Sequence, residues 1–258
     1  MQDRPATPAD YEAFSGLFPE LAVDDPVPDR TKFEVGMMAT TLVAEENGEI
    51  LGYVFFQVLR TTVYVRNIVT APEARKRGVG RQLMTAVAGV ARGAGCTTWA
   101  LNVKPDNVAA LALYTGLGLR VTNRAWPLKL PWSVVAGVAP LPLRDVPPEE
   151  DDAVERLTEQ EEGLFEAQRK RGRRILGFSG ASRWGGVAVF DPGFPGAFPF
   201  WVERAEDALP FVAALRPLAP SSDRVMIAVE GREDVAKRLT SAGGTLRFLI
   251  DQMKGPLP

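Results

Sequence analysis

The segment from Arg75 to Arg81 is the part of the sequence whose residue types most directly suggest chemistry. Within seven residues it holds four cations and two glycines, at Arg75, Lys76, Arg77, Gly78, Gly80 and Arg81. It lies between a strand pattern and an amphipathic helix pattern, so the unpaired N–H groups of the first helical turn and the helix dipole add to its positive potential. These features predict a binding site for a pyrophosphate, although a solvated basic turn would have the same composition. The segment is neither a P-loop nor a Rossmann glycine loop, because it lacks the residues that define each of them.

A second candidate pair lies downstream, at Asn107 and Tyr114. The two residues are seven positions apart, which is two helical turns, so in a helix they lie on one face. A short amide and a phenol would then line one groove. Each residue also has a purely structural interpretation, Asn107 as the N-cap of the helix and Tyr114 as a core aromatic near its end.

Hydrophobic patterns predict the elements that position these residues. In the first half, β-branched and aromatic residues predict strands over 41–45, 50–59, 63–69 and 98–103. A tight hairpin turn is expected at 46–49. Helical periodicity and capping residues predict helices that end at about Leu17, that extend from Gly80 to about Gly93, and that cover 107–117.

The composition excludes several kinds of catalyst. The 258 residues contain no histidine and one cysteine, Cys96, which rules out Ser-His-Asp and Cys-His hydrolysis and histidine-based zinc or iron sites. No metal site is therefore expected. The net charge of −2 argues against a general nucleic-acid-binding protein. The sequence shows neither an apolar stretch long enough for a membrane span nor a secretion signal, so we expect a cytoplasmic protein without membrane partners.

Proline and acidic residues over 139–152 predict a connection between two domains, with a boundary at 140. We therefore predict one domain over 1–140 and a second over 141–258. The second half is predicted to contain strands at 174–179, 186–190, 198–202, 225–229 and 245–253, and helices at 206–215 and 232–242. An offset of 126 residues matches Val103 with Val229 and Gly118 with Gly244. This pattern predicts an internal duplication, and two similar units of separate origin are the alternative.

Taken together, Arg75-x-x-Gly78-x-Gly80 after a strand ending at Val69, followed by Asn107 and by Tyr114, resembles the GNAT superfamily of acyl-CoA-dependent N-acetyltransferases. The resemblance is specific over about residues 40–120. It implies an α/β fold with a mixed, twisted sheet that is flanked by helices and splayed at one point, where acetyl-CoA would bind. With the duplication, it implies two GNAT-like domains, of which the first carries the splayed sheet and the catalytic site.

The resemblance also implies roles for individual residues. The end of the fourth strand of that fold would pair with the pantetheine arm of acetyl-CoA, and the glycine-containing loop would bind its pyrophosphate through backbone amides. Tyr114 would be the general acid, and Asn107 would help to hold the cofactor. The implied cofactor-binding residues are Asn67, Ile68, Val69, Arg75, Lys76, Arg77, Gly78, Val79, Gly80, Arg81 and Asn107.

The implied reaction explains why these residue types are needed. An amine attacks the thioester carbonyl, an oxyanion forms that a strand N–H can stabilise, and a CoA thiolate leaves. A phenol with a pKa of ~10 can protonate a thiolate whose conjugate acid has a pKa of ~8.5. Some members of the superfamily place a glutamate on the fourth strand as the base, but residues 63–69 contain no carboxylate. The base therefore stays unassigned, with Glu34, Glu45 or a water chain past Tyr64 as candidates.

The second half lacks the corresponding machinery. Residues 201–210 have no glycine pair and hold three acids where phosphates would bind, and Thr240 occupies the position that corresponds to Tyr114. We therefore expect a degenerate GNAT-like domain that is structural or helps to wall the acceptor cleft.

The leading hypothesis is an acetyl-CoA-dependent N-acetyltransferase whose active site lies within residues 1–140. Its acceptor would be a primary amine of a small molecule or of a protein, and its oligomeric state is open. A non-catalytic acyl-CoA-binding or regulatory module is the alternative, because the fourth strand lacks a carboxylate.

Overall fold

The computed structural model of the chain describes residues 1–23, 25–181 and 183–258. Two compact units are present. Unit 1 comprises residues 1–102, 107–120 and 253–258, and unit 2 comprises residues 103–106 and 121–252. The division in the sequence therefore lies between residues 120 and 121, rather than at the predicted boundary of 140.

Unit 1 begins with a strand and two helices, followed by strands and helices in the order expected from the sequence. Its elements are β1 (Gln2–Pro5), α1 (Tyr11–Leu17), α2 (Arg30–Gly36), β2 (Thr41–Glu46), β3 (Glu49–Val58), β4 (Thr62–Thr70), α3 (Val79–Gly93), β5 (Thr98–Val103), α4 (Val108–Thr115) and the end of β13 (Ile250–Pro256). The sequence patterns did not indicate β1 or α2.

The sheet of unit 1 is mixed. Its strand order is β1-β2-β3-β4-β5-β13, in which β1 to β4 pair antiparallel and β5 pairs parallel to β4. Asn47 (φ 55°) and Gly48 (φ 83°) both have left-handed conformations, as the tight turn of the β2–β3 hairpin requires. The predicted hairpin is therefore confirmed.

Helix α3 packs on one face of this sheet because its apolar residues recur at helical spacing. Leu83, Met84 and Val87 are all fully buried. Gly52 of β3 permits the close approach, since a Cβ at this position would lie 3.2 Å from Val79 Cγ1 and 2.4 Å from the carbonyl oxygen of Val69. The glycine thus lets the start of α3 lie directly against β3 and β4.

Helices α1 and α2 cover an aromatic cluster in unit 1. The ring of Phe14 lies 4.7 Å from that of Phe33 and 4.8 Å from that of Tyr53, between ring centroids. Val69 of β4 belongs to the same buried cluster. One end of the glycine-containing loop is therefore anchored in the core of unit 1.

Unit 2 contains a second run of strands and helices. Its elements are β6 (Arg120–Pro131), β7 (Arg144–Asp145), α5 (Asp151–Leu157), α6 (Leu164–Lys170), β8 (Arg174–Phe178), β9 (Gly186–Asp191), β10 (Gly196–Val202), α7 (Ala208–Leu215), β11 (Arg224–Glu230), α8 (Glu233–Ser241), β12 (Thr245–Leu246) and the start of β13. The strand order is β6-β11-β10-β9-β8-β7, with β12 also paired to β6. The sequence did not indicate α5 or α6, and the strand predicted over 245–253 is divided into β12 and β13.

Pairing of β6 explains where the units divide. β6 runs antiparallel to β11 from Ala125↔Glu230 to Pro131↔Arg224, so residues 121–131 add to the sheet of unit 2. By contrast, residues 253–258 lie in unit 1, where the N–H of Leu257 donates to the carbonyl of Thr97 at 2.9 Å. A Cβ at Gly255 would lie 2.7 Å from the carbonyl oxygen of Gly118, so this residue must be small.

In the described parts of the chain, no helix is both long enough and apolar enough to cross a membrane. Nor do the described Cys, Asp and Glu residues form a group of three or more that could hold a metal ion.

Candidate active site

The connection between β4 and α3 is a turn of closely spaced backbone N–H groups. After β4, a 3-10 turn over Pro72–Ala74 leads to residues 75–78, and α3 starts at Val79. Lys76 (φ 63°) and Gly78 (φ 86°) have left-handed backbone conformations, separated by a single residue. Left-handed residues in such a turn direct neighbouring N–H groups toward a common point, which makes a concavity suited to an anion. We refer to residues 75–81 as the cation loop.

Helix α3 adds further N–H donors to the cation loop. The first hydrogen bond of the helix joins the N–H of Gln82 to the carbonyl of Gly78 at 3.0 Å. The N–H groups of Val79, Gly80 and Arg81 precede this bond and have no acceptor within the helix. Because glycine has no side chain, the N-cap Gly78 does not cover these donors. They are available to the oxygens of a pyrophosphate, which the dipole of this 15-residue helix also favours.

The four cations of the loop differ in their surroundings. Arg75 is 2.5 Å from Glu20 Oε2, and Arg77 is 2.5 Å from Glu46 Oε2, both through Nη2. All four side chains lie at exposed positions. Among the described residues, neither Lys76 nor Arg81 forms an ion pair. The loop therefore offers two unpaired cations and two that are held by carboxylates.

Helix α4 lies directly against the cation loop. A Cβ at Gly80 would be 3.2 Å from Leu113 Cδ2, and a Cβ at Gly116 would be 3.2 Å from Arg81 Nη2. These contacts place the last turn of α4 beside the first turn of α3. Tyr114 lies between Leu113 and Gly116 in the sequence, so the structure brings the predicted acid and the predicted pyrophosphate loop to neighbouring elements.

Tyr114 is buried in the last turn of α4, with 5% of its surface exposed. Burial raises the pKa of Tyr114 to about 12, because the phenolate would lose its solvation. The hydroxyl is therefore protonated throughout the physiological range. A group of this kind can donate a proton to a thiolate leaving group and is not itself a base at neutral pH.

Asn107 is the N-cap of α4. Its Oδ1 accepts a hydrogen bond from the N–H of Ala110 at 3.1 Å. The structural interpretation considered for Asn107 is thus observed. Its amide nitrogen is the remaining polar group that could donate to a ligand.

A β-bulge in β4 opens the sheet of unit 1. β4 pairs with β3 in one register from Thr70 to Asn67 and in another from Val65 to Val63, which leaves Arg66 as the extra residue. The parallel pairing of β4 with β5 runs only from Thr62↔Thr98 to Val65↔Leu101, so it ends at the bulge. This is the splayed point that the family resemblance implies.

The hydrogen-bonding phase of β4 identifies the backbone groups that face the splay. The N–H of Ala71 donates to the carbonyl of Leu51 at 2.9 Å, so Ala71 and, by alternation, Val69 and Asn67 exchange hydrogen bonds with β3. The N–H and C=O of Ile68 consequently point the other way, toward the edge that β5 has left. Of the three residues predicted to pair with pantetheine, Ile68 is therefore the one whose backbone is oriented for it.

These features fit acetyl-CoA. The cation loop has donors and charge for a pyrophosphate, and Ile68 offers one donor and one acceptor at the open strand edge for an amide of pantetheine. At Gly78, where a Cβ would meet no atom within 4 Å, the backbone is open to a ligand.

The proposed bases have different surroundings. Glu45 Oε2 accepts from Arg4 Nε at 2.6 Å, and its strand is separated from β4 by β3. Glu34 lies on α2, where Arg30 Nη1 is 3.5 Å from its Oε1. The ring of Tyr64 lies 4.1 Å from the guanidinium carbon of Arg66. Of the two carboxylates, Glu34 has the weaker ion pair.

Unit 2 does not reproduce the splay. β10 has a bulge between Ala197 and Phe200, but its parallel pairing with β11 resumes after it, at Phe200↔Val229. Helix α7 is preceded by Glu206 and Asp207 in place of a cation loop. Unit 2 therefore has neither an open strand edge after the bulge nor a basic loop at the corresponding helix.

Two features of the site were not apparent from the sequence. The first is the bulge at Arg66, because a bulge depends on the register of the partner strand. The second is the pair of carboxylates, Glu20 and Glu46, that bind the loop arginines from distant positions. Tyr53 of β3 is buried close to Asn67. Burial raises the pKa of Tyr53, and Asn67 partly offsets this rise.

A mixed sheet that opens after a bulge, next to a basic loop at a helix N-terminus, is the arrangement that the resemblance to the GNAT superfamily implies. Residues 10–119 match the family model of the acetyltransferase (GNAT) family. GNAT acetyltransferases use acetyl-CoA as the acyl donor.

Two characterised relatives share sequence with the first half of the chain. The aminoglycoside N(6')-acetyltransferase type 1 of Stenotrophomonas maltophilia is 28% identical over 142 residues, which cover 50% of this chain and 92% of the relative. The [ribosomal protein bS18]-alanine N-acetyltransferase of Escherichia coli K12 is 32% identical over 73 residues, or 28% of this chain. The match spans about half (49%) of that relative's length.

Solved structures also resemble the whole chain. A protein of Pyrococcus horikoshii assigned to the acetyltransferases aligns with 99% of this chain and 89% of its own, with a TM-score of 0.70 and 15% identity. A GCN5-related N-acetyltransferase from Sphaerobacter thermophilus aligns with 99% of this chain and 95% of its own, with a TM-score of 0.65 and 15% identity. At these identities the likeness concerns the fold.

Proposed function

We propose that this protein transfers the acetyl group of acetyl-CoA directly to a primary amine, and that unit 1 carries the active site. The observation that carries the proposal is the arrangement around β4. The strand leaves β5 at the Arg66 bulge, turns the N–H and C=O of Ile68 to the open edge, and ends in the cation loop. An acyl donor with a thioester, an amide-containing arm and a pyrophosphate would find backbone or charged groups for each of these parts along β4 and the cation loop.

The residues of the chain would bind and orient this donor as follows. The N–H groups at the start of α3, with Lys76 and Arg81, bind the pyrophosphate. Ile68 pairs with the pantetheine arm as a neighbouring strand would. The amide nitrogen of Asn107 lies at the other end of α4 from Tyr114. It would donate a further hydrogen bond to the bound acetyl-CoA.

Acetyl-CoA supplies an activated acetyl group as a thioester. A β4 N–H at the opening polarises the carbonyl and stabilises the oxyanion that forms when the amine attacks. Tyr114 donates its phenolic proton to the thiolate as the C–S bond breaks. Its raised pKa keeps the hydroxyl protonated at neutral pH, so the proton is present when the thiolate leaves.

The acceptor is proposed to be a primary amine that attacks in its uncharged form. The two relatives act on chemically different amines, an aminoglycoside and an alanine of a ribosomal protein according to their names. Both acceptors belong in a first panel. Removal of the amine proton is assigned to Glu34 or to a water chain past Tyr64, since the carboxylate of Glu45 is bonded to Arg4.

For unit 2 we propose a GNAT-like origin without cofactor binding. Shifted by 126 residues, β5 and α4 coincide within one residue at each end with β11 and α8. The order of elements in unit 2, with two helices, three antiparallel strands, a helix, a parallel strand and a helix, also repeats that of unit 1. The paired edge of β10 and the acids before α7 support a structural role, or one in shaping the acceptor site, for this domain.

The proposal is tested with the full-length chain. Isothermal titration with CoA measures binding, and release of free thiol from acetyl-CoA over a panel of amines measures transfer. Binding together with amine-dependent thiol release supports the function. The absence of CoA binding would disprove it, and binding without release for any amine would leave an acyl-CoA-binding protein in place of an enzyme.

A further inference from the structure

Two acidic residues hold arginines of the cation loop, although neither is close to the loop in the sequence. Glu20 lies in the 3-10 turn that follows α1, and Glu46 lies at the end of β2. Their Oε2 atoms are each 2.5 Å from an Nη2 atom, in Arg75 and in Arg77 respectively. The pairs join residues 55 and 31 positions apart.

These contacts are close charge-assisted hydrogen bonds. Arg77 lowers the pKa of Glu46, mainly through the hydrogen bond, so this carboxylate is ionised at neutral pH. A carboxylate is a planar oxygen anion and a phosphate is a tetrahedral one, and both accept hydrogen bonds from the same guanidinium N–H groups. Guanidinium N–H groups that are bonded to a glutamate are therefore not available to a phosphate at the same time.

We infer that Glu20 and Glu46 are internal competitors of the acyl-CoA pyrophosphate for Arg75 and Arg77, and that they weaken cofactor binding so that CoA can leave after transfer. The inference rests on the proposed function, because it assumes that the cation loop binds the pyrophosphate. Lys76 and Arg81 have no competing carboxylate in the described chain and would attract the pyrophosphate first. Arg75 and Arg77 would then exchange one anion for the other.

The competition gives the reaction cycle a physical advantage. A loop with four uncompensated cations would hold the product CoA as firmly as it holds acetyl-CoA, since both have the same pyrophosphate. Carboxylates that return to the arginines offset part of that attraction. Glu20 lies in the 3-10 turn over Phe18–Leu21, so the exchange at Arg75 would also break the ion pair between this turn and the loop.

The test compares CoA affinity in glutamine variants of the full-length protein. Glu20→Gln and Glu46→Gln each keep the side-chain shape and remove the charge. Each is expected to lower the Kd for CoA about two- to fivefold, the scale of an exposed ion pair. The gain should be smaller at 0.5 M than at 0.05 M salt, because screening weakens interactions between exposed charges. Pantetheine, which has no pyrophosphate, should bind all variants equally.

Two controls separate competition from a general change in charge. Glu49→Gln removes an exposed acid from the same hairpin as Glu46, and it should leave the Kd unchanged. In an Arg75→Gln background, Glu20→Gln should give no gain, because the residue for which it competes is absent.

An unchanged or higher Kd in both glutamine variants would overturn the inference, as would a gain that persists without Arg75. The unsubstituted protein distinguishes this failure from failure of the proposed function. If it binds CoA and releases thiol while the variants show no gain, the function stands and the competition does not. If it does not bind CoA at all, the proposed function fails first.

Discussion

Leu113 of α4 lies against Gly80 of α3, with its Cδ2 only 3.2 Å from the position that a Cβ at residue 80 would occupy. This contact joins the helix that carries Tyr114 to the helix whose first turn belongs to the cation loop. In the proposed mechanism, the groups that bind the pyrophosphate and protonate the leaving thiolate are therefore carried by two helices that pack against each other.

Gly80→Ala is expected to disturb both segments. The added methyl group must displace Leu113 by a few tenths of an ångström, and such overpacking costs about 1 kcal/mol or more. We expect the Kd for CoA to rise at least threefold and turnover to fall with it. Titration calorimetry and thermal unfolding measure the two effects. Gly89→Ala is the matched control, because a Cβ there meets no atom within 4 Å and the change should be neutral or slightly stabilising. Equal effects of the two substitutions would contradict the role assigned to the Gly80 contact.

Tyr114→Phe should separate binding from chemistry. Removing the phenolic proton is expected to lower kcat by about 100- to 10,000-fold, the range typical of a lost general acid, while the Kd for CoA changes less than twofold. Stopped-flow or steady-state thiol release provides the rate. Thr240→Ala, at the corresponding position of unit 2, should leave both quantities unchanged. A Tyr114→Phe variant with full turnover would remove Tyr114 from the mechanism.

The pKa of Tyr114 predicts the shape of the pH profile. Its value of about 12 is raised by burial, so the proton is retained well above the pH at which an exposed tyrosine ionises. We expect turnover to rise as the acceptor amine loses its proton and to show no fall caused by Tyr114 below pH ~11. The profile is measured with an acceptor of known amine pKa. A fall between pH 8 and 10 that disappears in Tyr114→Phe would show that the phenol ionises earlier than its burial implies.

Asp10 predicts a pH-dependent part of the stability of unit 1. Arg4 donates to both carboxylate oxygens of Asp10 at 2.8 Å, and it lowers the pKa of Asp10 to about 2. Because the folded-state pKa is depressed, the stabilisation is present above pH ~4 and is lost as the pH falls toward 2. Asp10→Asn should reduce the free energy of unfolding by about 1–2 kcal/mol at pH 7 and by much less at pH ~2.5.

Urea unfolding at the two pH values measures this difference. Glu12→Gln is the control, since the side chain of Glu12 is 78% exposed and its pair with Arg30 should contribute less than ~0.5 kcal/mol. The same loss for Asp10→Asn at both pH values would indicate that packing rather than charge is responsible.

The elements that could be predicted from the sequence are those whose signals are local. The β2–β3 turn follows from the conformations that Asn47 and Gly48 adopt, and α3 follows from the spacing of Leu83, Met84 and Val87. The candidate residues of the cation loop and of α4 were identified for the same reason. Each of these residues lies at the start or end of a helix, and the residues next to it in the sequence are enough to predict that helix.

The features that the sequence did not reveal depend on distant partners. The bulge at Arg66 exists only relative to the register of β3, and the assignment of β6 to unit 2 depends on its pairing with β11. Glu20 and Glu46 are ordinary surface acids until folding brings them to the loop. Helices such as α2 and α5 are seven residues long, too short for a clear periodic pattern.

The location of residues 253–258 in unit 1 has a consequence for biosynthesis. Residues 121–252 are translated before the segment that lies against Gly118 and Thr97 leaves the ribosome. Unit 1 thus cannot reach its final set of contacts while the ribosome is still making unit 2. Its maturation is tied to the synthesis of residues 253–258, so a nascent or truncated product that ends before them lacks one strand of the sheet that carries the proposed active site.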